Sequence, residues 1–473
     1  MSTLARTTAL ALLAACTSDP SPSPGGVPAS RDDGAWIYTV RAGEGARVLE
    51  VTAEFPGHTA RRFAVDPEAA AFVEDAAWWD GAAWLPLARG NDEWTLPSGA
   101  GGSPRLRYRF RLEEAARAID SPSTAAVRMD CLVGPPSAWT LRPTEGSTPR
   151  VVLQVETPAD VVFATGIFRD PGDPGVDGNT YVIPSWFLPH APFTAFGPFM
   201  SRSLSAGGSE ILVVSPPPPY QMPADLPLDW VEEAAAQVAD YFDGFPVPRV
   251  LVHLHRRSGF ASTLGNGGAS IDFPLGRRPR VEKFEDDWVM AHEMVHLGFP
   301  SVAGRHRWIE EGTASYVEPV ARVRTGDISR EAFWSELVRN LPRGQPRPGQ
   351  GGLDGASTID RIYWGGALYC FRADVETRRR TDGRRGLEHA LRGIVSEGGR
   401  ISVGWSLEKA LEAGDRATGV PVLAELYDEM GAEAVTVDLD ALWENLGVRS
   451  EGGLLTFDDG APWAGVRRAI DGS

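Results

Sequence analysis

The hydrophobic period of this chain shifts from mainly two to mainly helical beside a run of four prolines, and that shift limits the folds open to it. From Ala35 to Arg111, short segments alternate apolar and polar residues, as in Trp36-Ile37-Tyr38-Thr39-Val40 and Val48-Leu49-Glu50-Val51-Thr52-Ala53. Gly- and Pro-containing turns separate them. A period of two over such lengths marks half-buried strands, and a succession of them reads as a sandwich. A second β-rich stretch runs from Val151-Val152-Leu153-Gln154-Val155 to Ile211-Leu212-Val213-Val214, and includes a Pro- and aromatic-rich passage, Ile183 to Phe199. Ser215 then leads into Pro216 to Pro219, which cannot join a ladder and favour an extended hinge. Beyond it the period becomes helical: Asp229 to Phe242 carries good helix formers and stops at Gly244-Phe245-Pro246. Val250 to His255 and Ala269 to Phe273 read as strands. Helices are expected at 284–298, 307–323, 329–340, 361–379 and 386–396.

No internal repeat is visible, and 473 residues are too many for one ordinary core. The expected fold class is α+β multidomain. A β-sandwich-like region over residues 32–218, of one or two β domains, precedes a mainly helical unit with a small β-sheet over 219–473. Hydrophobic content of 42% with 9% aromatics fits folded domains. The net charge of −17, with no basic stripe, argues against a nucleic-acid partner.

Residues 1–15 carry one arginine and then a short apolar run, the pattern of a secretory signal rather than a membrane span. Leu13-Ala14-Ala15-Cys16 resembles a bacterial lipobox, which implies lipidation of Cys16 and a membrane attachment through that lipid. Residues 16–31, rich in Ser, Pro, Gly and Asp, read as a flexible tether. The expected location is the bacterial cell envelope, and Thr17 after the cysteine favours the outer membrane or a periplasm-facing position. Of the three cysteines, Cys131 and Cys370 then remain, and two buried free thiols are favoured over a disulfide.

The chemistry is concentrated in His292-Glu293-Met294-Val295-His296. Residues four apart share a helix face, so both imidazoles can reach one metal ion, with Glu293 beside them. With 8 His in the chain, chance would supply this pattern in roughly one such sequence in a hundred. A catalytic zinc site usually takes three protein ligands and leaves one position for water. A third His six residues after His296 would complete one such pattern, but Val302 stands there.

Further on, Trp308-Ile309-Glu310-Glu311-Gly312-Thr313-Ala314-Ser315-Tyr316 resembles the W-x-x-E-G-x-A-x-Y segment of the M1 and M61 metallopeptidases (aminopeptidase N-like and glycyl aminopeptidase-like gluzincins). By that resemblance Glu311 is the third ligand; His306 is its rival, although Gly304-Arg305-His306-Arg307 reads more like an exposed basic turn. Ile362-Tyr363-Trp364-Gly365-Gly366-Ala367-Leu368 is similar to the Y-x-K-G-A and Y-E-K-G segments of those families, and Arg378 to Leu391 to a further M61 segment. The resemblance implies a thermolysin-like zinc-peptidase domain with one Zn²⁺ per chain, and it makes the Tyr363 hydroxyl an oxyanion partner. It also exposes two departures. Gly365 replaces the family lysine, and Leu264 to Ser270 lacks the glutamate that holds a substrate α-amino group in M1 enzymes.

These residues imply a metallopeptidase acting on a peptide or protein substrate. Its ligands would be His292, His296 and Glu311, with Glu293 as general base. Aminopeptidase and endopeptidase action both stay open. Gly267, Gly268 and Ala269 are small enough to let a substrate backbone approach the strand Ala269–Phe273, although a plain hairpin reads equally well. Ser315, one turn after Glu311, is either a support for a ligand or an ordinary surface serine. The alternative function is a weakly active or inactive lipoprotein on the same scaffold, acting in binding or assembly.

Overall fold

A computed structural model describes residues 34–473 except 129–130, 170–178, 216–222, 224, 277–280, 282–283, 285–286 and 452–453. The signal segment, the tether with Cys16 and the Pro216–Pro219 hinge lie outside the described residues.

The alternation at the front does build strands. Trp36–Ala42 and Leu49–Glu54 pair antiparallel with Tyr38 opposite Ala53 and Val40 opposite Val51, so their apolar residues share one buried face. They lie in a seven-stranded sheet flanked by Arg105–Phe110 on one side and Val151–Glu156 on the other. Two four-stranded sheets supply Phe63, Trp94, Leu132, Phe163 and Phe196 to the same core. Its buried phenols find partners: Tyr38 donates to the Leu141 carbonyl (3.0 Å) and Tyr108 to that of Trp139 (2.9 Å).

A second core starts at Ile211, and its sheet begins earlier than the sequence suggests. Met200–Ala206 and Ser209–Ser215 form a hairpin whose second strand runs parallel to Arg249–His255. The order is Met200–Ala206, Ser209–Ser215, Arg249–His255, Ser270–Pro274, Ser262–Leu264. A division after residue 218 would leave the hairpin with the front half, whereas its pairing assigns it to the back half. Period two identifies a strand without naming its sheet. Leu226–Phe242 is the crossover between the two parallel strands, as a parallel pair requires. It ends where Asp243 takes a left-handed conformation (φ 58°).

The expected helices are present with small shifts at Arg307–Thr325, Arg330–Asn340, Ile359–Arg380 and Leu387–Ser396. The one holding the His-Glu pair is shorter than expected, Val289–Val295, followed by a 3₁₀ turn at His296–Gly298. Helices Arg307–Thr325 and Ile359–Arg380 touch backbone to backbone. A Cβ on Gly312 would lie 2.2 Å from the Gly366 carbonyl carbon, and one on Gly366 would lie 1.9 Å from the Trp308 oxygen. A buried ionic cluster locks this crossing to the following helix. Tyr316 donates to Asp374 (2.8 Å), Arg378 pairs with Asp374 (2.9 Å) and Glu388 (2.6 Å), and the Leu387 N–H donates to Asp374 (2.9 Å). Cys131 and Cys370 are buried and not joined in a disulfide. Among the described residues no helix is long and apolar enough to cross a membrane.

Candidate active site

The short motif helix divides its residues by face. Met290, Ala291, Met294 and Val295 bury into the second core, while His292, Glu293 and His296 point toward the neighbouring helix and the edge strand. Asp287 accepts the Val289 N–H (2.8 Å) and so supports the helix start. At the other end Gly298 packs where a Cβ would meet the Phe242 ring at 2.4 Å, so the chain tightens directly after His296.

From the first turn of Arg307–Thr325, Glu311 reaches both imidazoles. Its Oε2 lies 3.6 Å from His292 Nε2 and 3.6 Å from His296 Nε2, and one donor atom from each residue fits within a mutual 4.8 Å. That spacing is too long for a hydrogen bond. It suits three donors around one cation, because tetrahedral zinc bonds of about 2.0–2.2 Å separate ligand atoms by roughly 3.3–3.6 Å. Two of the three donors are held in ligating states by their surroundings. Burial holds His296 down at about 4, hence neutral at pH 7. Burial would raise Glu311, but His292, His296 and Arg307 outweigh it and hold the carboxyl at about 2. Burial also works to lower His292, yet Glu311 and Glu293 turn its net shift upward. The donor set therefore fits a zinc ion.

Glu293 is buried, and burial raises its pKa. Thr263, on the edge strand Ser262–Leu264, lies with Oγ1 2.7 Å from Glu293 Oε2 and 3.0 Å from its carbonyl oxygen. A hydroxyl has one proton, so it serves one acceptor at a time. Tyr363 stands across the site, its ring stacked near His292 (6.1 Å, 12°) and its hydroxyl interacting with Glu311 and Arg307. Burial drives the phenol far above its ordinary pKa, so it is a proton donor at neutral pH. Arg307 donates to Glu311 Oε1 from Nη2 (3.0 Å) and Nε (3.3 Å).

Several expectations change here. His306 is buried and pairs with Asp354 (2.7 Å), which also accepts from Trp308 and Tyr427, so it lies in a separate cluster and not in an exposed basic turn. Ser315 is buried, not on the surface. Glu310 turns away from its neighbour and accepts the Val302 N–H (3.1 Å). Gly365 has no room for the family lysine without adjustment, since a Cβ would sit 3.1 Å from Arg361 Nη1 and 3.3 Å from the Gly344 oxygen.

Gly267, Gly268 and Ala269 are engaged through their backbones. Gly267 donates to the Ser402 carbonyl (2.9 Å), Ala269 donates to that of Gly166 (2.8 Å), and Gly268 bridges to Ile167. The strand that follows, Ser270–Pro274, is paired on both sides, so it has no ladder to offer a substrate. On this side of the sheet the edge strand is Ser262–Leu264. Thr263 and Arg307 went unnoticed in the sequence. Arg307 had a signal, its i, i+4 spacing to Glu311, whereas Thr263 meets Glu293 across 30 residues with none.

No protein-family model matches the chain, and no curated protein does. Among solved structures, an aminopeptidase N family protein from Idiomarina loihiensis is similar over 88% of this chain and 79% of its own, with TM-score 0.62 and 14% identity. A mutant form of the M1 zinc metallopeptidase from Deinococcus radiodurans is similar over 85% of this chain and 94% of its own, with TM-score 0.50 and 16% identity. A β-rich front unit, a mainly helical back unit with a small sheet, and these two similarities together give the chain the fold of the M1 zinc metallopeptidases and aminopeptidase N family proteins.

Proposed function

We propose that the protein is a zinc-dependent peptidase. The observation that carries this reading is the meeting of His292, His296 and Glu311 around one point, with the non-ligand Glu293 buried beside them. A site kept for structure alone has little use for Glu293, which is not one of the three donors. One zinc ion held by those three residues would supply Lewis acidity, lowering the pKa of a bound water toward about 7.

The remaining chemistry belongs to the chain. Glu293 takes the proton of the attacking water and carries it to the leaving amine, a task suited to a carboxyl whose pKa burial has raised. Thr263 holds that carboxylate from the edge strand. Tyr363, kept protonated, donates to the carbonyl oxygen as negative charge develops on it. The substrate class is a peptide or protein, and the chain works in the cell envelope, tethered through a lipid on Cys16.

The test is Glu293→Gln. Zinc content should stay at one per chain while cleavage of a quenched-peptide library falls by about 10²–10⁴-fold. Undiminished turnover would remove Glu293 from the mechanism. Bound zinc with no cleavage by the wild type would favour the binding or assembly role. Rates on N-terminally blocked and free peptides separate internal cleavage from aminopeptidase action.

A further inference from the structure

We infer that Arg307 is a positioning residue of the site: it fixes which oxygen of Glu311 faces the two imidazoles and steadies the Tyr363 hydroxyl. The inference rests on the zinc-site reading above. Arg307 opens the helix Arg307–Thr325, one turn before Glu311, and donates to Glu311 Oε1 through both Nη2 (3.0 Å) and Nε (3.3 Å). With Oε1 so engaged, Oε2 is the oxygen left at 3.6 Å from each imidazole. A carboxylate free to turn about its terminal torsion would present either oxygen, or both, to a cation. Two donors from one rigid fork remove that freedom, which an ammonium on a flexible stem cannot do.

The same guanidinium interacts with the Tyr363 hydroxyl. Arg307 therefore ties together residues from two helices that meet at Gly312 and Gly366. This also bears on the absent lysine. Gly365 is pressed against Arg361 and the Gly344 carbonyl, so the Tyr363 segment has no cation of its own at that position. The cation beside Tyr363 comes from the other helix. The side chain keeps about a third of its surface exposed, 34%, so it lines the site without being part of the core.

The experiment uses the full chain and reads zinc affinity by competition with a chromophoric chelator. Arg307→Gln should weaken zinc binding by about 10–100-fold, the usual consequence of losing a group that orients a ligand. Arg307→Lys keeps the charge and loses the fork, and should recover only part of the affinity. Arg305→Gln removes the same charge from an exposed neighbour and should leave affinity within twofold of wild type. Zinc affinity within twofold of wild type in Arg307→Gln would overturn the inference. So would full recovery in Arg307→Lys, which would reduce the effect to charge alone. If Arg307→Gln fails to fold, judged by circular dichroism against wild type, Arg307→Lys decides by the same readout. Because affinity is measured without a peptide, a wild type that cleaves nothing would defeat the peptidase reading and leave this one to its own result.

Discussion

Substituting Gly366 by Ala should both loosen the fold and damage the site, because the two helices that carry Glu311 and Tyr363 touch at that glycine. The added Cβ would lie 1.9 Å from the Trp308 carbonyl oxygen and 2.8 Å from Gly312 Cα. Ordinary carbon–oxygen contact begins near 3.4 Å, so the helices must separate locally by about 1.5 Å. Overpacking of this kind costs about 1–3 kcal/mol, and backbone against Cβ belongs at the upper end. Ala gains about 1 kcal/mol over Gly in a helix interior, leaving a net loss of about 2 kcal/mol. With an m-value of about 2 kcal/mol/M, the urea midpoint should fall by about 1 M. Tyr363 sits one turn before Gly366, and a displacement near 1 Å can cost about a hundredfold in rate, so kcat/KM should fall by between ten- and a hundredfold. The control is Gly465→Ala, in the exposed first turn of Ala464–Asp471, where a Cβ meets nothing within 4 Å. That variant should be as stable as wild type or slightly more so. Urea unfolding followed by tryptophan fluorescence reads both. A Gly366→Ala protein as stable as Gly465→Ala would refute the claim that this crossing needs bare backbone.

Two other outcomes follow from the same geometry, and a third tests the lipid anchor proposed from the sequence around Cys16. Glu311→Ala should lose zinc on dialysis, as measured by elemental analysis, while His306→Ala should keep it and instead lower thermal stability by removing one of the three partners of Asp354; the opposite pattern would exchange their roles. Thr263→Val should reduce kcat by about tenfold with little change in KM, since the hydroxyl orients Glu293, and Thr263→Ser should restore most of the rate; an unchanged kcat would make the bond incidental. Cys16→Ser should move the protein from the membrane fraction to the soluble fraction, and an unlipidated N-terminus by mass spectrometry in the wild type would defeat the anchor.

Local pattern was readable from the residues themselves, and long-range partnership only where a family resemblance supplied it, as for Glu311 and Tyr363. Tyr38, Val40, Val51 and Ala53 declare a buried face by alternation alone, and His292 and His296 declare a shared helix face by spacing alone. Those features depend on residues within one turn or one strand. The hairpin of Met200–Ala206 and Ser209–Ser215 has the same alternation as the front strands, so nothing in it names the sheet it joins. His306 sits among Gly304, Arg305 and Arg307 and therefore reads as exposed, yet the Asp354 that buries it lies 48 residues away. Glu310 and Glu311 are adjacent and chemically alike, and only the helix orientation decides that one meets Val302 and the other meets two imidazoles.

The loop at Gly267 and Gly268 also explains why a β-rich unit accompanies the site. The edge strand that presents Thr263 to Glu293 is only three residues long, and a strand that short has little pairing of its own to hold its register. Its single ladder runs to Ser270–Pro274, so its position is as firm as that neighbour. The neighbour is held from the front unit. Ala269 donates to the Gly166 carbonyl (2.8 Å), the Ser270 hydroxyl accepts the Phe193 N–H (3.0 Å), and buried Arg249 on the adjacent strand donates to the carbonyls of Thr165 (2.6 Å) and Ile167 (3.0 Å). Between the two strands, Gly267 is pinned to Ser402 (2.9 Å) and Asn266 to the His190 carbonyl (3.2 Å). A side chain at Gly268 would collide with the Gly166 oxygen at 2.2 Å, so close contact is what the glycine permits there. The β-rich unit thus fixes the loop that fixes the strand that holds Glu293. On this account Gly268→Ala, far from the reacting atoms, should lower kcat in the same manner as Thr263→Val and should add little to it in the double variant, because both act by releasing Glu293. Additive losses in that pair would mean that the β-rich unit supports the site by some route other than Thr263.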